Sequence, residues 1–151
     1  ELIAEWKTVY WKHFEQTIVG ERYPRFTKVF GSREAILAAD DSDLFDALGT
    51  LHSFYDRFRF FDGGVAGWKE EFPTFNDPKR TRETLAYIVH GDGDIVQRMS
   101  NAIFDPRWKL NEFGRANVQE LIGWRNREEL PIINGRTTKV LRFFGSKVRQ
   151  L

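Results

Sequence analysis

The chain has 151 residues, of which 41% are hydrophobic and 15% aromatic, and its formal net charge is +1. These values predict a folded domain with one core of ordinary size, and they exclude a disordered tail. The absence of cysteine excludes disulfides, thiolate zinc sites and a cysteine nucleophile, and no apolar run approaches the roughly 20 residues of a membrane helix. We therefore expect a cytoplasmic protein without a membrane partner, and because the chain begins at Glu1 we expect a longer parent protein.

Residues 1–58 are predicted to form N-terminal helices. The first helix covers residues 2–19, and Gly20 and Pro24 end it. Its apolar stripe consists of Ile3, Trp6, Tyr10, Phe14 and Ile18. Gly31 or Ser32 starts a second, short helix.

A third helix is predicted from an N-cap at Ser42 to about residue 58. Its apolar residues follow a 4-3-4-3 spacing: Leu44, Leu48, Leu51, Tyr55 and Phe58. Residues 59–78 contain many aromatics but are interrupted by Gly63, Gly64, Gly67 and Pro73. We predict that this segment is irregular and packs on the core.

Helical periodicity returns in residues 79–151. One helix begins near Lys79, a second follows the turn at residues 91–94 and ends at Asp105, and two more cover about residues 115–124 and 135–144. Strand patterns are scarce, so the sequence predicts an all-α, compact single domain of six to eight helices. The acidic clusters at residues 40–43 and 92–94 resemble helix starts more than calcium loops, and we predict neither a metal nor a cofactor.

Positive charge is concentrated at the end of the chain. Residues 107–151 contain ten Lys or Arg, four Glu and no Asp, a net of +6, whereas the preceding residues have a net of −5. Two short helices in this basic third each begin at a glycine, Gly114 and Gly135. Cations beside free helix N–H groups favour binding of a nucleic-acid backbone.

Leu110-Asn-Glu-Phe-Gly-Arg-Ala116 resembles the turn of helix-hairpin-helix DNA-binding proteins, which reads roughly Leu-x-Gly-hydrophobic-Gly-x-x-Ala. The second glycine of that pattern is Gly114, and Arg115 follows it. The resemblance implies that the turn and the first N–H groups of the next helix bind a phosphate. Glu112 replaces the first glycine, and its carboxylate disfavours a phosphate at that point.

The likeness extends to the helix-hairpin-helix glycosylases, in which a short apolar run and a catalytic Asp follow the hairpin. Here Asn134 stands in the place of that Asp, and Ala116 or Asn117 stands where some members have a catalytic Lys. An amide cannot replace a carboxylate base. The resemblance therefore implies retained DNA binding without catalysis.

A second resemblance covers about residues 84–148. The run Thr84-Leu-Ala-Tyr-Ile-Val-His-Gly91 and the motifs Phe113-Gly-Arg-Ala, Glu120-Leu-Ile-Gly-Trp and Leu130-Pro-Ile-Ile-Asn-Gly-Arg look like a helical accessory region of McrB-type modification-dependent restriction ATPases. In those systems this region contributes DNA recognition. The chain has no Walker A motif, so an ATPase motor would belong to the rest of the parent protein.

Taken together, these patterns predict a DNA-binding target-recognition or accessory domain of a larger restriction or defence protein, with a C-terminal half like a helix-hairpin-helix and no enzymatic activity of its own. Its partners would be duplex DNA and the remainder of an ATPase or nuclease. The candidate DNA contacts are Lys109, Gly114, Arg115, Arg125, Arg127, Asn134, Gly135, Arg136, Lys139 and Arg142.

Other interpretations remain open. The segment from Phe60 to Phe75 could dock a protein partner while the basic end meets an acidic surface, and a glycosylase with rearranged catalytic residues is a third possibility. An aromatic pocket for a flipped base would consist of Trp68, Phe72, Phe75 and Trp108. Helical spacing predicts instead that most apolar residues of the basic third are core: Phe113, Val118, Leu121, Ile122, Trp124, Val140, Leu141 and Phe144.

Overall fold

A computed structural model describes residues 4–5, 10–126 and 135–148, apart from the side chains of Phe14, Asp56 and Arg136. Every regular element in these ranges is helical and none is a strand, which confirms the all-α prediction. The chain divides into two compact units, residues 1–69 and residues 70–151. None of the helices in the described part of the chain combines the length and the apolarity that a bilayer crossing requires.

Unit 1 opens with a continuous helical run. It consists of α1 (Trp11–Phe14), a π-helical segment (Glu15–Arg22) and α2 (Tyr23–Phe30). The prediction that Gly20 and Pro24 end the first helix was therefore wrong. Pro24 is the second residue of α2, where its missing N–H and fixed φ are tolerated.

Three short helices follow α2 in unit 1: α3 (Arg33–Ala38), α4 (Asp41–Leu48) and α5 (His52–Phe58). Ser32 is the N-cap of α3, since its hydroxyl accepts the N–H of Ala35 at 3.0 Å. The predicted third helix is in fact two, α4 and α5. Its N-cap is not Ser42 but Asp40, whose carboxylate accepts the N–H of Asp43 at 2.7 Å.

The core of unit 1 is aromatic. Phe26 and Phe30 of α2 stack with ring centroids 4.7 Å apart. A second cluster surrounds Trp68, which is 1% exposed and contacts the rings of Phe54 and Phe58 at 4.9 and 5.4 Å. The remaining buried side chains of α2, α3 and α4 are Val29, Ile36, Leu44, Phe45, Ala47 and Leu48.

The segment predicted to be irregular contains a helix, α6 (Val65–Phe75). Gly63 and Gly64 form the turn before it, with φ of 79° and 64° that other residues rarely adopt. Trp68 and Phe72 lie one turn apart and are both buried, so burial of one helix face outweighs Gly67 and Pro73 inside the helix. The prediction of an irregular segment was wrong because it gave those breakers too much weight.

Unit 2 continues with α7 (Pro78–His90), α8 (Ile95–Phe104), α9 (Arg115–Arg125) and α10 (Gly135–Phe143). The helices α7, α8 and α9 each pack on the other two. Asp94 is the N-cap of α8, as the prediction of a helix start at residues 92–94 implies, and Asp77, which was not predicted, is the N-cap of α7. The apolar core between these helices includes Leu85, Ile88, Val89, Ala102, Val118, Leu121 and Ile122.

The described residues contain more helical segments than the six to eight predicted. The difference arises because the predicted third helix is divided near Gly49, because α6 was not anticipated, and because the helical run continues past Gly20 into α2. The unit boundary after Lys69 lies inside the segment of residues 59–78 that the sequence analysis set apart. Whether the two units are one domain stays a prediction.

Candidate nucleic-acid interface

The segment between α8 and α9 is the hairpin to which the sequence analysis assigned the DNA contact. It opens with a turn in which the carbonyl of Asp105 accepts the N–H groups of Trp108 and Lys109 at 3.0 and 2.9 Å. Leu110 and Phe113 are then only 2% and 3% exposed. Because these two side chains are buried on the core of unit 2, the residues around them are held at its surface.

Two side chains from outside the hairpin hold its backbone. The Asn76 amide accepts the N–H of Asn111 at 2.8 Å and donates to the carbonyl of Asn111 at 3.0 Å. The Arg80 guanidinium donates to the carbonyls of Pro106 and Lys109 at 2.6 and 2.9 Å. Hydrogen bonds from charged donors to backbone acceptors are among the stronger ones in proteins, so the hairpin has a defined conformation.

The backbone of Glu112 is left-handed, with φ of 57°, and Glu112 is the only such residue other than glycine in the described ranges. This residue occupies the position where the helix-hairpin-helix pattern has its first glycine. Gly114 is the N-cap of α9, as predicted, and it has no side chain to cover the helix start. Its N–H donates to the Asn117 side chain at 3.0 Å, so this N–H is already occupied.

Two of the predicted contacts, Lys109 and Arg115, are exposed at the hairpin. Arg115 is the first residue of α9, where the N–H groups of a helix have no intrahelical acceptor. A stacked pair lies beside Lys109 in the chain: Trp108 packs on the Tyr87 ring at 3.9 Å, with planes 12° apart. The Arg107 guanidinium lies 5.0 Å from the Trp108 ring centre and adds a third exposed cation.

Arg125 is also exposed, but it is the last residue of α9. Ten steps of about 1.5 Å place it roughly 15 Å along the helix from Arg115, at the negative end of the helix dipole. A cation there stabilises the helix itself. Arg127 and Asn134 lie outside the described residues, as does the side chain of Arg136, so their predicted contacts stay predictions.

Gly135 is the first residue of α10, as the sequence predicts. Lys139 is exposed in the middle of this helix. Arg142 is exposed in its last turn, and its Nε donates to the carbonyl of Val148 at 3.1 Å. Part of the Arg142 guanidinium is thus used to hold the residues that follow the helix. Gly145, two residues after the end of α10, has a left-handed φ of 84°, as glycines that cap a helix commonly do.

The prediction that the apolar residues of the basic third are core is right for α9 and wrong for α10. Phe113, Val118, Leu121, Ile122 and Trp124 are all buried. In α10 the exposed fractions are instead 54% for Val140 and 38% for Leu141, and Phe144, directly after the helix, is 76% exposed. Among the residues of α10 whose burial the structure describes, Thr138 is buried, at 2%. A 3.6-residue period locates an apolar stripe but cannot say whether another element covers it.

The aromatic pocket for a flipped base does not assemble as predicted. Trp68 and Phe72 are 1% and 0% exposed, and their rings belong to the packed core. Trp108 already stacks on Tyr87. In the aromatic segment proposed to dock a partner, the rings of Trp68 and Phe72 are buried, whereas Phe60 and Phe75, at its two ends, are 75% and 36% exposed.

Sequence reasoning missed the residues that position the hairpin, Asn76 and Arg80, because they are about 30 residues away from it in the chain. It also missed Arg98, a 9% exposed arginine that donates to the carbonyls of Ile88, Gly91 and Gly93 and so closes the end of α7. The available signal was a cation one turn after Asp94, in a helix whose other residues are uncharged. The contacts of Asn76 and Arg80 with the hairpin have no comparable signal in the sequence.

Within the described residues no group of His, Cys, Asp or Glu is arranged to hold a metal ion. The described residues of this surface supply exposed cations, helix N–H groups and aromatic rings, and these groups suit recognition of an anion. Comparisons with known protein families, with curated proteins and with solved structures gave no match for this chain.

Proposed function

We propose that unit 2 binds duplex DNA through the phosphate backbone. The observation that carries the proposal is the conformation of the hairpin. Its left-handed residue, Glu112, and its N-cap glycine, Gly114, stand where the helix-hairpin-helix pattern has its two glycines. A left-handed residue at the position of the first glycine supports the resemblance, although that glycine itself is absent.

The chemistry of this surface suits a phosphate. The first N–H groups of α9 carry the positive end of the helix dipole, and Arg115 adds a charge at the same end. Lys109 lies on the hairpin, and Arg107 lies next to the stacked rings of Trp108 and Tyr87. Neutralising phosphates releases counterions from the duplex, which contributes affinity without reading the base sequence.

Within the predicted set, Lys109, Gly114, Arg115 and Lys139 are the strongest candidates, because the structure describes them and all four are exposed. Arg125 and Arg142 have structural roles at the ends of their helices and make weaker candidates. Arg127, Asn134, Gly135 and Arg136 complete the proposed footprint on the basis of sequence alone.

The proposed context is that of an accessory or target-recognition domain in a larger nucleic-acid-processing protein, with restriction or defence favoured by the likeness to McrB-type systems. The chain would supply recognition, and the remaining ATPase or nuclease would supply the reaction. A chain without cysteine fits a cytoplasmic location.

The test is fluorescence anisotropy of a labelled duplex titrated with the protein at several salt concentrations. The wild type should bind more weakly as salt rises. The Lys109→Ala/Arg115→Ala variant should weaken binding to all sequences alike and reduce the slope of log affinity against log salt by about two. Arg25→Ala/Arg33→Ala removes two exposed cations from unit 1 and should leave the slope unchanged.

Arg136→Ala/Lys139→Ala makes the same change on α10 and tests the contribution of that helix. A slope unchanged by both unit 2 variants would overturn the site assignment. Absence of binding by the wild type at low salt would overturn the proposed function.

A further inference from the structure

The helix α10 exposes the apolar residues that a helix normally buries. Phe143 and Phe144 are 82% and 76% exposed, and Val140 is 54% exposed. The side of the helix that the structure buries carries Thr138. Aromatic rings this accessible are uncommon at the surface of a folded protein, where large apolar groups together mark a contact with another molecule.

The charge of this region restricts what that molecule can be. Residues 130–151 contain five Lys or Arg and no acidic residue. Lys139 and Phe143 are four residues apart on the helix. Because each residue turns the helix by about 100°, the two side chains are separated by one full turn plus about 40°, which places the cation close to the exposed ring. Lys147, beyond the helix end, is exposed as well. Lys139 and the Phe143 ring therefore lie on the same side of the helix, not on opposite faces as the cations and rings of a helix that lies on a membrane do.

The two rings are oriented so that both can be used. Their centroids are 5.4 Å apart and their planes are 82° apart, so the face of one ring does not cover the face of the other. Stacking of a planar group on either ring leaves the second ring accessible. The helix ends at Phe143, and Phe144 and the left-handed Gly145 form the turn that follows, so no further turn of helix lies beside the rings.

A nucleotide has the matching chemistry, a phosphate next to a planar aromatic base. In a paired duplex the faces of each base are covered by its neighbours, whereas an unpaired or displaced base offers its face for stacking. We infer that α10 binds unpaired DNA bases, with Phe143 and Phe144 stacked on the bases and Lys139 and Lys147 at the flanking phosphates. This inference rests on the proposed DNA binding and names its target as DNA with an unpaired stretch.

The experiment compares two labelled DNAs that differ only in a gap. One is a fully paired duplex and the other is the same duplex with a short single-stranded gap in one strand. The wild type should bind the gapped DNA more tightly, by about fivefold to 100-fold for each stacked base. Phe143→Ala/Phe144→Ala should abolish that preference and leave affinity for the paired duplex and its salt dependence unchanged.

The matched control is Phe60→Ala/Phe104→Ala, which removes two exposed rings, 75% and 66% accessible, from elsewhere in the chain and should keep the preference. Phe143→Trp supplies a measurement that removes no ring: the larger ring should raise the preference for gapped DNA. Circular dichroism melting checks that all variants are folded. Because the substituted positions are exposed, we expect every variant to fold.

The outcomes separate the inference from the proposed function. If the wild type binds both DNAs equally, the inference is overturned and duplex binding stands. If it binds neither, both are overturned. Loss of binding to anionic phosphatidylserine vesicles in the Phe143→Ala/Phe144→Ala variant, with no change on either DNA, would also overturn the inference and would identify a lipid surface instead.

Discussion

The helices α9 and α10 have similar sequences and opposite environments. Both are short, both begin at a glycine or directly after one, and both combine apolar residues with cations. Yet α9 buries Leu121, Ile122 and Trp124 between α7 and α8, whereas α10 leaves Phe143 and Phe144 at the surface. Amphipathic periodicity thus has two uses in one protein: α9 builds the core that holds the hairpin, and α10 is available to a ligand.

The largest expected effect comes from the same substitution made on each helix. Leu121→Ala removes a fully buried side chain and should lower the free energy of unfolding by about 2–5 kcal/mol. Leu141→Ala, at a position 38% exposed, should change it by no more than about 0.5 kcal/mol. Denaturant unfolding measures both. Similar losses in the two variants would show that α10 is packed as α9 is, contrary to the comparison.

A smaller loss is expected at the contact that positions the start of α9. Asn76→Ala leaves the N–H and the carbonyl of Asn111 without their side-chain partner in a half-buried place and should cost about 1–3 kcal/mol. Asn111→Ala removes only the bond from its own side chain to the carbonyl of Phe75, so it should cost less. Hydrogen exchange of the Asn111 amide should accelerate in Asn76→Ala and not in Asn111→Ala.

A substitution at Glu112 tests whether the hairpin has a left-handed backbone at the position where glycine would be favoured. Glu112→Gly relieves a left-handed conformation that costs roughly 1–2 kcal/mol, offset by about 0.5–1 kcal/mol of glycine entropy, so stability should rise by up to about 1.5 kcal/mol. The same change removes a carboxylate and should tighten DNA binding. Glu112→Gln should improve binding without that gain in stability. A less stable glycine variant would contradict the assigned conformation.

The smallest effect is expected at an exposed ion pair in unit 1, which serves as a reference for surface contacts. The Lys28 ammonium donates to the Asp43 carboxylate at 2.6 Å, and this hydrogen bond, with the charge of Asp43, raises the pKa of Lys28 above its ordinary value of 10.5. A lysine whose pKa is higher in the folded than in the unfolded state contributes its full stabilisation at pH values below the unfolded-state pKa. The contribution is then lost as pH rises through the folded pKa.

Lys28→Met should therefore differ only slightly from the wild type near pH 8, and the difference should vanish at strongly alkaline pH and in high salt. Unfolding midpoints across pH 8–12 measure it. If the stability difference between Lys28→Met and the wild type grew with pH, the ion pair would not be stabilising the fold through the charge of Lys28.

Much of the helical pattern follows from local chemistry, which explains why it could be predicted. The N-cap of α3 at Ser32 and the starts of α7 and α8 near acidic residues depend on a side chain and an N–H only three residues apart. The apolar spacing of Val118, Leu121 and Ile122 likewise identified residues that are buried. Where two local signals competed, as between Ser42 and Asp40, sequence spacing alone did not choose the right cap.

The candidate site was predictable only in part. The sequence by itself determined the all-α class, the positive charge of the last third and the glycine at the start of α9, because each depends on composition or on neighbours in the chain. Only the tertiary structure decided that Asn76 and Arg80 hold the hairpin, that α9 is covered and that α10 is not. Those outcomes depend on which surfaces meet after folding, and contacts across about 30 residues leave no periodic trace in the chain.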